Sequence, residues 1–211
     1  RKLARPEEIG IILLNKGFTL QEKGDPEAAL EIFDEAAQVI DGKRQPRLRF
    51  ALRYNQAESL RLLNRAGEAA QLVEEVQSLV ETLRNDIDLI KTVWLRANVE
   101  AGLGNRQAAL EALEQVRSDF EERLLPYDYA LASLDVAQLY REEGRFAEIQ
   151  PLAQEILEIF RVQKVHREAL AAMTLFQEAA QKEWITAEFV RRLQKYLSQA
   201  RNDPKLKFQE S

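Results

Sequence analysis

Hydrophobic residues along this chain recur at three- and four-residue spacings, as in "ALEIFDEAAQVI" (29–40) and "ALEALEQV" (109–116), and strand-like alternation is absent. That period predicts amphipathic helices throughout. The pattern also repeats on a longer scale: "GDPEAALEIF" at 24–33 returns as "GNRQAALEAL" at 104–113, 80 residues later. Self-similarity at a fixed distance is the mark of a repeat architecture and has to be tested before any other fold is considered.

Steps of 40 from Gly24 land on Asn64, Gly104, Gly144 and Trp184, and the first four of these positions suit the left-handed turn that ends a helix. Five residues further on stand Ala29, Ala69, Ala109, Ile149 and Phe189; nine further on stand Phe33, Val73, Leu113, Ala153 and Leu193. Seven before the turn come Gly17, Ala57, Ala97, Ala137 and Gln177, small in four copies, which allows two helices to approach closely. Pro6, Pro46, Asp86, Pro126 and His166 keep the same phase at the start of each unit, where Pro suits the first turn and Asp a cap. In the first unit Gly24 closes one helix, Asp25 caps the next and Pro26 opens it.

The expected fold is all-α: five antiparallel helix pairs, each first helix about 18 residues long, at 6–45, 46–85, 86–125, 126–165 and 166–202, with a tail at 203–211. A lone pair buries its apolar stripe on one side only, so consecutive pairs must stack, giving a single α-α superhelix or solenoid.

The row of small residue, tight turn, Ala five later and large apolar nine later resembles the tetratricopeptide repeat. The fourth unit, "LDVAQLYREEGRFAEIQPLAQEI", carries Val136, Ala137, Tyr140 and Gly144 in that family's places. The resemblance spans the chain. Its period of 40 in place of the usual 34 points to the longer-helix variants of bacterial regulators and kinesin light chains. Glu100 stands where a large apolar residue is expected, and Gln177 and Trp184 mark the fifth unit as a modified cap.

Candidate chemistry is sparse. The chain has one histidine and no cysteine, and it lacks a Gly-rich phosphate loop, so no zinc motif, triad or thiolate site can be assembled. His166, at a helix start, is expected to cap or to stand in solvent rather than to catalyse, and neighbouring acidic pairs such as Glu74 and Glu75 do not face one another on a helix. No enzyme activity, cofactor or metal is expected. The net charge of −5 is the wrong sign for a dedicated nucleic-acid binder, and the C-terminal basic cluster of Arg191, Arg192, Lys195, Arg201, Lys205 and Lys207 is read as a solvated face. Apolar runs such as "IGIILLN" fall far short of the roughly 20 residues a membrane span needs, so no spanning helix is expected; the absence of cysteine is compatible with the cytoplasmic location expected here. The start at Arg1 is read as that of a piece of a longer chain.

The resemblance implies that the first helix of each pair lines a concave surface holding an extended peptide or a partner helix. Carried over by phase, the inward residues are Leu14 and Phe18; Tyr54, Glu58 and Arg61; Trp94 and Asn98; and Leu134, Gln138 and Arg141. Tyr54 and Trp94 would anchor the partner, with Asn98, Arg61 and Arg141 orienting it, although both rings could equally fill gaps between units and either arginine could pair with a nearby Glu. The family's carboxylate clamp for chaperone tails needs Lys and Asn at inward sites, and only Asn98 matches it. The expected function is a non-catalytic scaffold for a protein or peptide segment. The alternative is the ligand- or peptide-sensing domain of a bacterial signalling or transcription regulator. Trp184 is expected to cover the end of the core or pack the tail through Phe208, or else to offer an apolar cap for a homodimer.

Overall fold

A computed structural model describes residues 6–209, so Arg1 and the last two residues of the 203–211 tail lie outside the described part. Every regular element among those residues is an α-helix: α1 (Pro6–Lys23), α2 (Pro26–Val39), α3 (Pro46–Leu62), α4 (Ala66–Leu83), α5 (Asp86–Gly102), α6 (Arg106–Glu122), α7 (Pro126–Glu142), α8 (Phe146–Val162), α9 (Arg167–Gln181) and α10 (Ala187–Ala200). Helix starts at 6, 46, 86 and 126, and at 26, 66, 106 and 146, keep the 40-residue phase. Only the last pair slips, each of its helices starting one residue late, at 167 and 187.

Local chemistry explains the boundaries. Gly24, Asn64, Gly104 and Gly144 all have positive φ, and each closes its helix with a pair of backbone bonds, such as Gly24 N–H to Gln21 O and Asp25 N–H to Leu20 O. Asp25 caps α2 by accepting the Ala28 N–H at 3.0 Å, with Pro26 in the first turn. A second left-handed row, unnoticed in the sequence because no glycine marks it, sits at Arg84, Leu124 and Lys164 between pairs. The fifth turn departs from expectation: the left-handed residue is Glu183 (φ 56), not Trp184. Asn85, not Asp86, caps α5, and Asp86 becomes its first helical residue.

The described residues form two compact units, one up to Ala109 and one from Leu110, the divide falling within α6. In the first unit α1 packs on α2, α2 on α3, α3 on α4 and α4 on α5, while α1, α3 and α5 also lie side by side. This is the stacking order of an α-α solenoid. Ala29, Ala69 and Phe33 are buried, and Val73 is nearly so. Gly17 shows why the small row exists: a Cβ there would lie 2.3 Å from the Phe33 ring, whose side chain has no exposed surface to retreat toward.

In the second unit α7 packs on α8 and α8 on α9, and Arg117 on α6 reaches Ser133 and Tyr129 on α7 and Glu155 on α8. The last pair breaks the pattern. α10 barely touches α9 and packs instead on α7. Gln194 bonds Asp135 at 2.7 Å and Arg201 meets Asp128 at 3.3 Å, so the two helices run antiparallel. His166 ties the ends together: its Nδ1 accepts the Ala169 N–H as the cap of α9, and its Nε2 lies 3.0 Å from the Ala200 carbonyl at the end of α10. Phe208 anchors the tail, but on α10 and not on Trp184, with its ring edge-on to Phe189 and Tyr196. Trp184, by contrast, covers nothing: it is 70% exposed beneath the Lys182 ammonium.

Two outcomes follow for stability. Gly17→Ala should gain helix propensity yet lower the denaturant midpoint, a net loss of about 1–3 kcal/mol from overpacking, partly recovered by adding Phe33→Leu. His166→Ala should cost about 0.5–2 kcal/mol, and His166→Asn, which keeps a capping group, should cost less; equal losses in the two variants would show that the cap contributes nothing.

Candidate functional site

Of the ten residues singled out as inward-facing, seven lie in the first unit and three in the second. They sort by register. Leu14 and Leu134 are 7% and 0% exposed, so neither offers a partner the surface expected of it: each packs inside its own unit. Tyr54 and Trp94, in the same row, are half-buried. Tyr54 packs 5.9 Å from the Phe50 ring and joins two buried clusters of its unit, so its ring serves the core at least in part.

The row one turn further on is exposed only at its first member. Phe18 is 46% exposed on α1, and Glu58, Asn98 and Gln138 are intermediate. Ile11, two helical turns before Phe18, is 41% exposed on the same side of α1. Its i, i+7 relation to Phe18 was readable in the sequence, but "IGIILLN" reads simply as an apolar run, and nothing there says which isoleucines reach solvent. The side of α1, α3 and α5 that carries these rows thus presents Ile11 and Phe18 at one edge and the partly open rings of Tyr54 and Trp94 beyond.

The arginines of α3 are already engaged. Arg61 donates from Nε and Nη2 to the two Glu58 oxygens at 2.8 and 2.6 Å, a bidentate pair made within α3 itself. Arg47 is bonded to Asp88 on α5, and Arg49 and Arg53 converge on Glu75 of α4 at 2.7 and 2.8 Å. Every arginine of α3 therefore has a carboxylate partner. Arg61 does not stand as an open receptor for an incoming carboxylate. In the second unit Arg141 lies 3.3 Å from Gln138 and 3.8 Å from Glu142.

The second unit holds a feature that the sequence did not reveal, a cavity of about 380 Å³ lined by α6, α7 and α8. Arg117 forms its floor, bonded to Glu114 (2.5 Å), Glu155 (2.6 Å), the Tyr129 hydroxyl (2.7 Å) and Ser133 (2.8 Å). Burial works against the charge, but Tyr129, Glu114 and Glu155 outweigh it, and the guanidinium holds its proton more firmly than an ordinary arginine. The arrangement joins three helices through one side chain, and its signal was invisible because 117, 133 and 155 share no spacing.

No family model matches the chain, and no curated protein or solved structure matches it either. Among the described residues no helix is long and apolar enough to cross a membrane.

The charge pairing yields a pH dependence. Burial alone would raise the Glu75 carboxyl, but Arg49 and Arg53 outweigh it and hold it below the usual carboxylate range. A carboxyl depressed by folding stabilises the protein above its unfolded pKa and loses that contribution as pH falls through the folded value. Glu75→Gln should therefore lower Tm at neutral pH and flatten the fall in Tm below about pH 4.5; parallel acid limbs for both proteins would show the pair to be energetically silent.

Proposed function

We propose that this chain is a non-catalytic scaffold of the tetratricopeptide-like kind, and that the inner side of α1, α3 and α5 docks an extended or helical segment of a partner protein. The observation that carries the reading is the open apolar edge of that side: Ile11 and Phe18, 41% and 46% exposed, two turns apart beside half-buried Tyr54 and Trp94. Large apolar side chains held partly in water on a helix packed into a unit, bordered by polar groups, are the usual composition of a protein-docking surface. The paired state of the α3 arginines supports a partner recognised by apolar anchors more than by a terminal carboxylate. In this reading Asn98, intermediate in exposure one turn beyond Trp94, orients the partner's backbone. A bacterial, cytoplasmic setting belongs to the same reading and rests on the long-repeat resemblance.

An amphipathic helix meeting this side would present anchors at i, i+3 or i+4, and i+7. Selection from a displayed peptide library against the immobilised chain should enrich that spacing. Phe18→Glu should weaken the selected peptides at least about tenfold while leaving Tm nearly unchanged, as expected for a surface position removed from the core. Peptides that bind the variant as tightly as the original chain would move the docking face elsewhere.

A further inference from the structure

We infer that the side of α1 carrying Ile9, Ile12 and Lys16 docks an amphipathic helix of a partner protein, one that sets an acidic residue against Lys16 and an aliphatic residue four positions before that acid. This side lies about 100° round α1 from the Ile11 and Phe18 edge, so it is a second surface, independent of the docking reading given above. Ile12 is 61% exposed and Ile9 36%, and Lys16 and Thr19 are exposed as well.

The first observation is what becomes of these positions in the following repeats. Ile12 corresponds to Leu52 on α3, 40 residues on, and to Thr92 on α5, 80 residues on, and neither has any exposed surface. Thr19 corresponds to Ser59 and Val99, which are buried too. The cover comes each time from the helix pair before. Leu52 joins the cluster of Ala29, Phe33, Ala36 and Ile40, and Val99 joins that of Ala57, Leu60, Ala69 and Val73. On α1 the same register carries two isoleucines, and among the described residues no helix covers it. Single exposed aliphatic residues are ordinary, but here two of them stand on the side that the fold buries wherever it repeats.

The second observation identifies the occupant. Lys16 shares its row with Gln56 and Arg96. Gln56 donates from Nε2 to Asp34 of α2 at 2.7 Å, while Arg96 on α5 reaches Glu74 of α4 at 4.0 Å and donates to Gln77 at 3.3 Å. Asp34 and Glu74 are themselves 40 residues apart, so in both pairs the covering helix sets a carboxylate against this row. Four residues before each acid stands an aliphatic residue, Leu30 or Ala70, packed on the cluster that holds Ala57 and Val99. A helix seated on α1 in the same way meets an ammonium where α3 offers an amide, which strengthens the selection for an acid at that place. The occupant is thereby defined by its chemistry: an aliphatic residue and, four positions later, Asp or Glu, on one stripe of a helix.

The test uses the full chain and, as probe, a labelled synthetic peptide of residues 65–83, helix-stapled between positions 71 and 78, which are exposed in the chain. The peptide carries Ala70 and Glu74 at the required spacing. It should bind the chain, and Ile12→Glu and Lys16→Glu should each weaken it at least about tenfold while leaving Tm nearly unchanged. A Glu74→Lys peptide should bind the Lys16→Glu chain more tightly than the original chain, a reversal that loss of fold cannot produce. Phe18→Glu should leave the affinity for the 65–83 peptide unchanged, so this surface and the one proposed above can fail separately. Absence of binding, equal affinity for the original chain and both variants, or no reversal with the Glu74→Lys peptide overturns the proposal. So does self-association of the chain, read by light scattering, that Ile12→Glu abolishes, because the occupant is then a second copy.

Discussion

The structure depends on how closely the two helices of a pair can approach. At Gly17 the α1 backbone comes so near the Phe33 ring that a single methyl group would overlap it, and Phe33 is fully buried. In the second pair Ala57 meets the same demand beside Val73 in a shared cluster. Close approach brings the two apolar stripes into one dry seam, and it requires the connecting turn to be nearly as short as a turn can be. The left-handed residues at 24, 64, 104 and 144 satisfy that requirement, since each reverses the chain while pairing carbonyls that the helix end leaves open. Phase, turn and seam are consequences of the same contact.

The polar groups obey a complementary rule. A helix that packs on several neighbours cannot leave its arginines unpaired where water is scarce, and α3 resolves this by engaging Asp88, Glu75 and Glu58. Arg117 does the same more deeply in the second unit, where one guanidinium serves carboxylates and hydroxyls from three helices. The result in the first unit is that all four arginines of α3 are paired with carboxylates, three of them with groups on other helices and one within α3 itself.

The last pair departs from the packing of the others. α10 covers its apolar stripe by leaving α9 for α7, and the tail packs on it through Phe208. The loss of the small residue at Gln177 and of glycine at 183 and 184 is consistent with this, because α9 and α10 no longer need the close seam of the other pairs.

The sequence by itself determined the helical class, the 40-residue phase and most helix starts, because these rest on local physics: a period of apolar residues, a capping Asp, a Pro in a first turn, a glycine that accepts positive φ. It also placed the capping role of His166 and the anchoring role of Phe208. Only the tertiary structure decided which member of a row faces water. Leu14 and Leu134 are buried while Phe18 is open, although all three were expected to face inward by phase, because exposure depends on what packs against a position and not on spacing along the chain. The pairing of α10 with α7, the pairing of Arg61 with Glu58 and the Arg117 junction were decided at the same level. Each is a contact chosen among several that the sequence would permit, and the choice is made by which combination buries the most apolar surface while leaving the fewest charges alone.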